Sequence, residues 1–315
     1  MANRETTIEE PVGRYINPLT DFGFKHIFGN KEFLLDFLNA VLKVEGGIVD
    51  LQYDNTEKQG RSETDRTTIF DLYCTTGNGE RILIEMQNHR QEYFKDRTLY
   101  YASRLIQEQG EDKKGEKEWE FELKPVYSVN IVNFQLDVDT DAVKKKRKTK
   151  TGKYVSYVKL VDEETHQVYY KKLTFVYLEL PYFTKDVHEL TNYIDWWMYV
   201  LKNMAKLNHM PDALRNQISE RLFLKAEIAK LSKKDRKKYD QSLKKMRDMN
   251  VIIAQRDRKI TERDQKIAIL SKDIAILSKE NVTQAKEIAR LKRQLGLNGK
   301  KSRLVRATKS KASAN

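Results

Sequence analysis

The stretch Thr67 to Asn88, TTIFDLYCTTGNGERILIEMQN, leaves its chain few ways to fold. Gly77, Asn78 and Gly79 tolerate positive φ, as the loop of a three-residue β-hairpin with a bulge requires. With Thr76 and Glu80 flanking that loop, the numbers of paired residues sum to 156, and Asp71 falls opposite Glu85. Gln87 shares the face of Glu85 because side chains alternate along a strand. Two carboxylates facing each other on a sheet repel, so another group must offset the repulsion. A hard divalent cation does so, taking one or two carboxylates and filling its other positions with water and substrate phosphate. The bland alternative makes Asp71 and Glu85 solvated residues on an exposed sheet face. Against it, Ile69, Phe70, Leu72, Ile82, Leu83 and Ile84 put apolar groups on both faces, the pattern of a sheet covered on both sides. Buried charges need partners.

Other segments share a pattern with this one. Pro18 to Gly29 reads PLTDFGFKHIFG, Phe33 to Ala40 reads FLLDFLNA, and Ile84 to Gln87 reads IEMQ. Arg97 to Tyr101 (RTLYY), Leu178 to Pro181 (LELP) and the Trp196-Trp197 pair follow in order. Over roughly residues 14 to 245 the chain resembles the Rpn family of recombination-promoting nucleases and transposases, a branch of the PD-(D/E)XK nucleases. The Asp/Glu-x-Gln trio alone is weak; the ordered set is specific. The resemblance implies an α/β fold with a PD-(D/E)XK core, a mixed central sheet flanked by helices. It also implies DNA as substrate and Mg²⁺ (or Mn²⁺) as cofactor. Asp71 and Glu85 would be catalytic metal ligands, with the backbone carbonyl of Met86 completing the shell. Gln87 fills the slot that lysine usually holds. Glutamine neither carries charge nor takes a proton, so it can only position water by hydrogen bonds, which leaves the general base undefined. A second metal could take that part, or Lys95 from the following helix. Asp21, within the motif, is either a further metal ligand or a helix cap, and Lys25 is a weaker candidate.

The 315 residues could hold one large domain or two ordinary ones. At 33% charged residues, part of the chain is expected to be elongated and solvated. No apolar run reaches the ~18 residues that span a bilayer. The N-terminus, MANRETTIEEPVGRY, lacks a signal-peptide core, and a single cysteine, Cys74, excludes an intrachain disulfide and a cysteine-rich zinc site. His166, His188 and His209 have no i,i+4 partner and do not read as zinc ligands. A cytoplasmic protein is expected, with no small-molecule cofactor and no membrane partner. A net charge of +13 implies a polyanionic partner. The last seventeen residues alone hold six basic groups and no acidic one.

Residues 1–13 read as disordered and 14–187 as the nuclease-like core. Asp21 is a plausible N-cap for a helix from Phe22 to Phe28, and Lys31 to Leu42 is amphipathic. Ile48 to Tyr53 reads as the first strand, and Gln91 to Gln109 as a helix carrying Arg97, Tyr100, Tyr101 and Arg104. Those arginines are candidate phosphate contacts, with Tyr101 packing or positioning them; the opposing reading makes them a solvated face and the tyrosines core. Val126 to Phe134 and Leu173 to Phe183 are buried strands. Between them lies a basic insertion, about 139–172, with KKKRKTKTGK near its start and a hairpin from Tyr154 to Lys172. Its lysines are either a phosphate-contacting finger or a charged edge that discourages aggregation. Residues 188–245 read as a helical extension packing on the core, with a new helix starting at Pro211-Asp212.

From Met246 the pattern changes. Met246, Ile253, Ile260, Ile267, Ile274, Asn281, Ile288 and Leu295 recur every seven residues, with Met249, Leu270, Leu277 and Leu291 at the fourth position of their heptads. Ile at a with Leu at d, and Asn281 at an a position, predict a parallel two-stranded coiled coil over 246–296, hence a homodimer. Arg256, Arg263 and Gln284 at d weaken the seam outside Ile267 to Leu277. Residues 297–315 read as a disordered basic tail. The sequence therefore points to a Mg²⁺-dependent DNA endonuclease held as a dimer. The alternative is a catalytically weak nuclease-fold protein that binds DNA or serves as a scaffold through its coiled coil.

Overall fold

Residues 13–58, 68–112, 120–136 and 153–296 are described by a computed structural model. The N-terminal segment up to residue 12, the lysine-rich run from Val143 to Gly152 and the basic tail from residue 297 lie outside them. The chain divides into two units, Met1–Met246 and Arg247–Asn315.

The first unit opens with helices α1 (Asp21–Phe28) and α2 (Lys31–Val41), each begun by a side-chain cap. Thr20, not Asp21, caps α1: its Oγ1 accepts from Gly23 N at 3.0 Å. Asp21 instead occupies the first helical turn, where a carboxylate suits the helix dipole, and pairs with Lys25 at 2.8 Å. Asn30 caps α2 through Glu32 N and Phe33 N. The first strand is shorter than expected, β1 (Leu51–Tyr53). Asn39 explains the difference, because its carboxamide bonds both the N–H and the C=O of Ile48 and so replaces a ladder there.

The expected continuous strand into the Asp71 hairpin is broken in two. A short ribbon pairs β2 (Glu57–Lys58) with β3 (Thr68–Ile69), and β4 (Leu72–Thr76) begins anew after Asp71. The hairpin to β5 (Arg81–Gln87) has the anticipated register, Leu72 opposite Ile84 and Thr75 opposite Arg81. Its loop closes with Gly79 N on Thr76 O at 2.9 Å, and Gly79 has φ +83°, a conformation other residues rarely adopt.

Three further strands, β6 (Val126–Val132), β7 (Val155–Val161) and β8 (Val168–Glu179), complete a six-stranded mixed sheet in the order β1-β4-β5-β6-β8-β7. β5, β6 and β8 run parallel; the outer pairings are antiparallel. Helix α3 (Phe94–Asp112) lies against one sheet face, where Phe94, Ala102 and Leu105 meet Tyr73, Leu83, Phe175 and Tyr177. The opposite face carries Ile82, Ile84, Val129 and Val176 against α1, α2 and the helices α4 (Tyr193–Asn203) and α5 (Ser219–Ala226). Covering both faces explains why the central strands are nearly apolar throughout. In the segment beyond residue 188, Trp197 sits among Phe28 and Phe37, and its Nε1 donates to Asp36 at 2.9 Å. The segment is less helical than expected. After Pro211 only a 3-10 turn, Asp212–Leu214, forms before α5, because the backbone N–H groups of Ile218 and Ser219 turn to the Asn216 side chain.

The last helix, α6 (Lys233–Gln294), begins well before Met246. Within the first unit, its Tyr239 hydroxyl accepts from Asn17 N at 2.9 Å and its Ser242 hydroxyl from Phe22 N at 3.2 Å. In the second unit almost every described residue is exposed, the isoleucines and leucines of the heptads included. No helix among the described residues is long and apolar enough to cross a membrane.

Candidate active site

The break before β4 builds the site. Met86, in β5, would normally find its partner in a continuing β4; instead its N–H donates to Asp71 Oδ2 at 2.8 Å. Asp71 N in turn donates to Glu85 Oε1 at 3.2 Å. The two carboxylates therefore bracket one short gap at the edge of β5. A strand residue's N–H and C=O point to the same side, so the Met86 carbonyl is aimed toward Asp71 as well. Gln87 O, by contrast, accepts from Asn133 N on the β6 side.

Helix α3 closes the site from above the sheet. Arg97 Nη2 reaches Glu85 Oε2 at 2.7 Å, its Nη1 reaches Gln91 Oε1 at 2.7 Å, and its guanidinium lies 5.0 Å from the Tyr101 ring centroid. Gln87 stands on the same face, with Oε1 at 3.5 Å from Arg97 and Nε2 donating to His89 O at 3.3 Å. Arg104 lies farther along α3, half-buried, and donates to Gln107 Oε1 at 3.1 Å. Lys95 does not fit the part of a base. Two residues before Arg97, it projects about 160° around the helix from it and is exposed.

Charge and burial make this gap demanding. Glu85 is 1% exposed, and both carboxyl groups have raised pKa values, first because burial removes water from the charged form. Each then feels other charges. Asp71 repels the Glu85 anion while Arg97 favours it, and the repulsion and burial win, pushing Glu85 up to about 8. For Asp71 the Met86 N–H, Lys25 and Arg97 lower the value, whereas Asp21 raises it. Asn88 donates to the Leu19 carbonyl and so ties the start of α1 to the end of β5, which explains why the charges of Asp21 and Lys25 are felt at Asp71. Asp21 does not join a larger ligand cluster, since no group of three His, Cys, Asp or Glu suited to a metal occurs among the described residues.

One residue of the site went unread in the sequence. Asn130, on β6, is in register with Glu85 across the parallel ladder, and Tyr177 on β8 is next in the row. Asn130 is fully buried; its Nδ2 donates to Ser128 O and Ser128 Oγ at 3.0 Å, yet its Oδ1 has no partner. Arg97 Nε, on the other side of Glu85, is likewise unpaired. The available signal was a carboxamide two residues after a serine inside a mostly apolar strand, VYSVNIV. Two carboxylates, the Met86 carbonyl and the unpaired Asn130 oxygen on the neighbouring strand form an oxygen-rich set suited to a hard divalent ion and its water. One arginine offsets one of the two negative charges, and a cation would offset the other.

A mixed sheet with an Asp before one strand, Glu-x-Gln on its neighbour and a helix crossing over both defines a PD-(D/E)XK nuclease core. In agreement, the model of the PD-(D/E)XK nuclease family transposases matches residues 18–256, well over half of the chain. The protein belongs to that family. No curated protein and no solved structure matches the sequence.

Proposed function

We propose that the protein is a divalent-metal-dependent endonuclease that hydrolyses phosphodiester bonds in DNA, with Asp71 and Glu85 as the ligands of Mg²⁺ or Mn²⁺. The observation that carries this reading is the interlocked pair: Asp71 N–H on Glu85, and Met86 N–H on Asp71, with Glu85 buried and Asp71 half-buried. A bound divalent ion supplies charge neutralisation at the phosphate and lowers the pKa of water to near neutrality. The chain's own residues do the rest. Asp71, Glu85 and the Met86 carbonyl fix the ion's place; Gln87 orients water through its carboxamide; Arg97, already directed at Glu85, offers a guanidinium to a phosphate oxygen. Tyr101 holds that guanidinium over its ring, and Arg104 extends the positive edge. Because Gln87 cannot accept a proton, the attacking water would pass its proton to solvent or to the phosphate, and the leaving oxygen would take one from solvent.

The test is plasmid nicking in Mg²⁺ and Mn²⁺. Asp71→Asn keeps an oxygen for the Met86 N–H and Glu85→Gln keeps an acceptor for Arg97, so both variants should fold. Each is expected to reduce nicking at least about a hundredfold, the scale at which removal of one electrostatic group in a catalytic site is felt. Unchanged nicking in both would assign the activity to another site or protein. A folded protein that binds DNA but does not nick under any metal would favour the scaffold alternative, to which Gln87 in the lysine slot lends support.

The exposed heptads of α6 support a second part of the proposal, a homodimer through a parallel coiled coil. Ile267, Leu270, Ile274 and Leu277 are each more than half exposed on a single helix, whereas Ile at a and Leu at d bury each other in two-stranded coils. A role in recombination, mobile-element activity or defence against phage, in the cytoplasm, would suit such an enzyme.

A further inference from the structure

Helix α3 carries a second feature beside the carboxylates. Tyr93, the residue just before the helix, is 67% exposed, and Tyr100 is 47% exposed. Leu99 on this helix is also exposed, at 55%, but it lies about 100° around the helix from Tyr100, whereas the two tyrosines share the side that carries Arg97. At 100° per residue, positions 93, 97, 100 and 104 fall within about 60° of one another, so one stripe reads Tyr, Arg, Tyr, Arg. The two tyrosines are about two turns, or roughly 10 Å, apart along the axis. The stripe is continuous with the carboxylate site. Glu85 holds Arg97, Arg97 lies 5.0 Å from the Tyr101 ring, and that ring is 6.3 Å from Tyr100. Tyr101 is in turn braced edge-on by Phe70 at 5.2 Å. Of the acidic residues nearby, Glu92 precedes the helix, Asp96 lies about 40° from Tyr100 on the side away from Arg97, and Glu108 and Glu111 come only after Arg104, beyond the tyrosines.

We propose that Tyr93 and Tyr100 form a stacking platform for unpaired nucleobases, so that the DNA strand presented to Asp71 and Glu85 is single-stranded at the point of contact. The inference rests on the nuclease reading of the carboxylate site and names the substrate that reading leaves open. Every base offers a π-face, so an aromatic platform binds unpaired strands with little regard to sequence, while interleaved arginines hold the backbone. A paired duplex keeps its bases stacked on each other and gives the tyrosines no such face. A protein partner could also cover exposed tyrosines, but the alternation with arginine and the unbroken path to the carboxylates favour a polyanion bearing rings.

The test is equilibrium binding of the full-length chain in EDTA, by fluorescence anisotropy, to three labelled probes of equal length: single-stranded DNA, the same strand made abasic, and duplex. EDTA separates this test from cleavage. The wild type should bind the single strand more tightly than the abasic strand, which has the same phosphates and no rings. Tyr93→Ala and Tyr100→Ala should each weaken single-strand binding by about tenfold and leave the abasic affinity unchanged, whereas Tyr93→Phe and Tyr100→Phe should retain the wild-type difference. The proposal is overturned if single and abasic strands bind alike, if both alanine variants match the wild type, or if duplex is preferred and the variants weaken it equally. Those results leave the nuclease reading intact as long as nicking still requires Asp71 and Glu85. Loss of that requirement would undo the nuclease reading whatever the tyrosines bind.

Discussion

Glu85 has almost no contact with water, and the Arg97 guanidinium at 2.7 Å is not enough to keep it charged beside Asp71. The consequence for stability has a definite sign. In the unfolded chain Glu85 loses its proton near an ordinary carboxylate value, whereas in the folded, metal-free protein it keeps it to about pH 8. Between those values the folded state binds more protons, so stability falls as pH rises, by up to about 1.4 kcal/mol per pH unit. The raised Asp71 pKa acts in the same direction. Urea midpoints measured in EDTA from pH 5 to 8 should decline in the wild type and decline distinctly less in Glu85→Gln. A wild-type midpoint that rises over this window would mean that the pair is compensated by something other than a proton. The convergence of Asp71 and Glu85 was legible in the sequence because a hairpin's register follows from its loop, and Gly77 to Gly79 fix the loop. Asn130 was not legible as a partner, since parallel pairing of β5 with β6 is set by a crossover through α3 and leaves no local mark. The cap of α1 was misassigned for a simple reason: Thr20 and Asp21 are both good capping types, and only the backbone geometry separates them.

At the scale of elements, the break between β3 and β4 matters more than any strand. A continuous strand from Thr67, as the hairpin reading implied, would have used Met86 N–H in a ladder bond and left the Asp71 side chain without that role. Phe70, buried against Tyr73 and Tyr101, anchors the chain where it leaves the sheet. The start of α1, which lies near the site, depends on two remote hydroxyls. Thr20 caps it from within, and Tyr239 and Ser242 on α6 satisfy Asn17 N and Phe22 N. Tyr239→Phe removes the acceptor for a backbone N–H while keeping the ring, and should cost about 1–2 kcal/mol. Thr20→Ala should cost about 1 kcal/mol. Urea unfolding of both variants checks this, and no change in either midpoint would show that these bonds contribute nothing net. Sequence reading found most helices and strands through their apolar period. It overestimated helix after Pro211, where Asn216 diverts the backbone with its side chain, a choice that periodicity cannot reveal.

The whole chain carries +13, and the basic tail and lysine-rich insertion contribute much of that excess in the sequence. Affinity for DNA should therefore fall steeply with salt whatever the site prefers. The heptads of α6 make a separate statement. If Ile267 to Leu277 are the strongest part of a dimer seam, Leu270→Lys with Leu277→Lys should halve the mass measured by light scattering, because charged residues at d face each other across a two-stranded coil. An unchanged mass would place the dimer contact elsewhere, and a wild-type monomer would remove the dimer altogether. The long helix was legible from its seven-residue repeat, whereas its true start at Lys233 was not, since Tyr239 and Ser242 serve contacts outside the heptad pattern.

All of these scales meet at the gap between two acidic side chains, and calorimetric titration of the metal-free protein with Mn²⁺ probes it most directly. The wild type should bind the ion stoichiometrically, and Asp71→Asn and Glu85→Gln should each abolish detectable binding while unfolding cooperatively in urea. Undiminished Mn²⁺ binding by both folded variants would contradict the account.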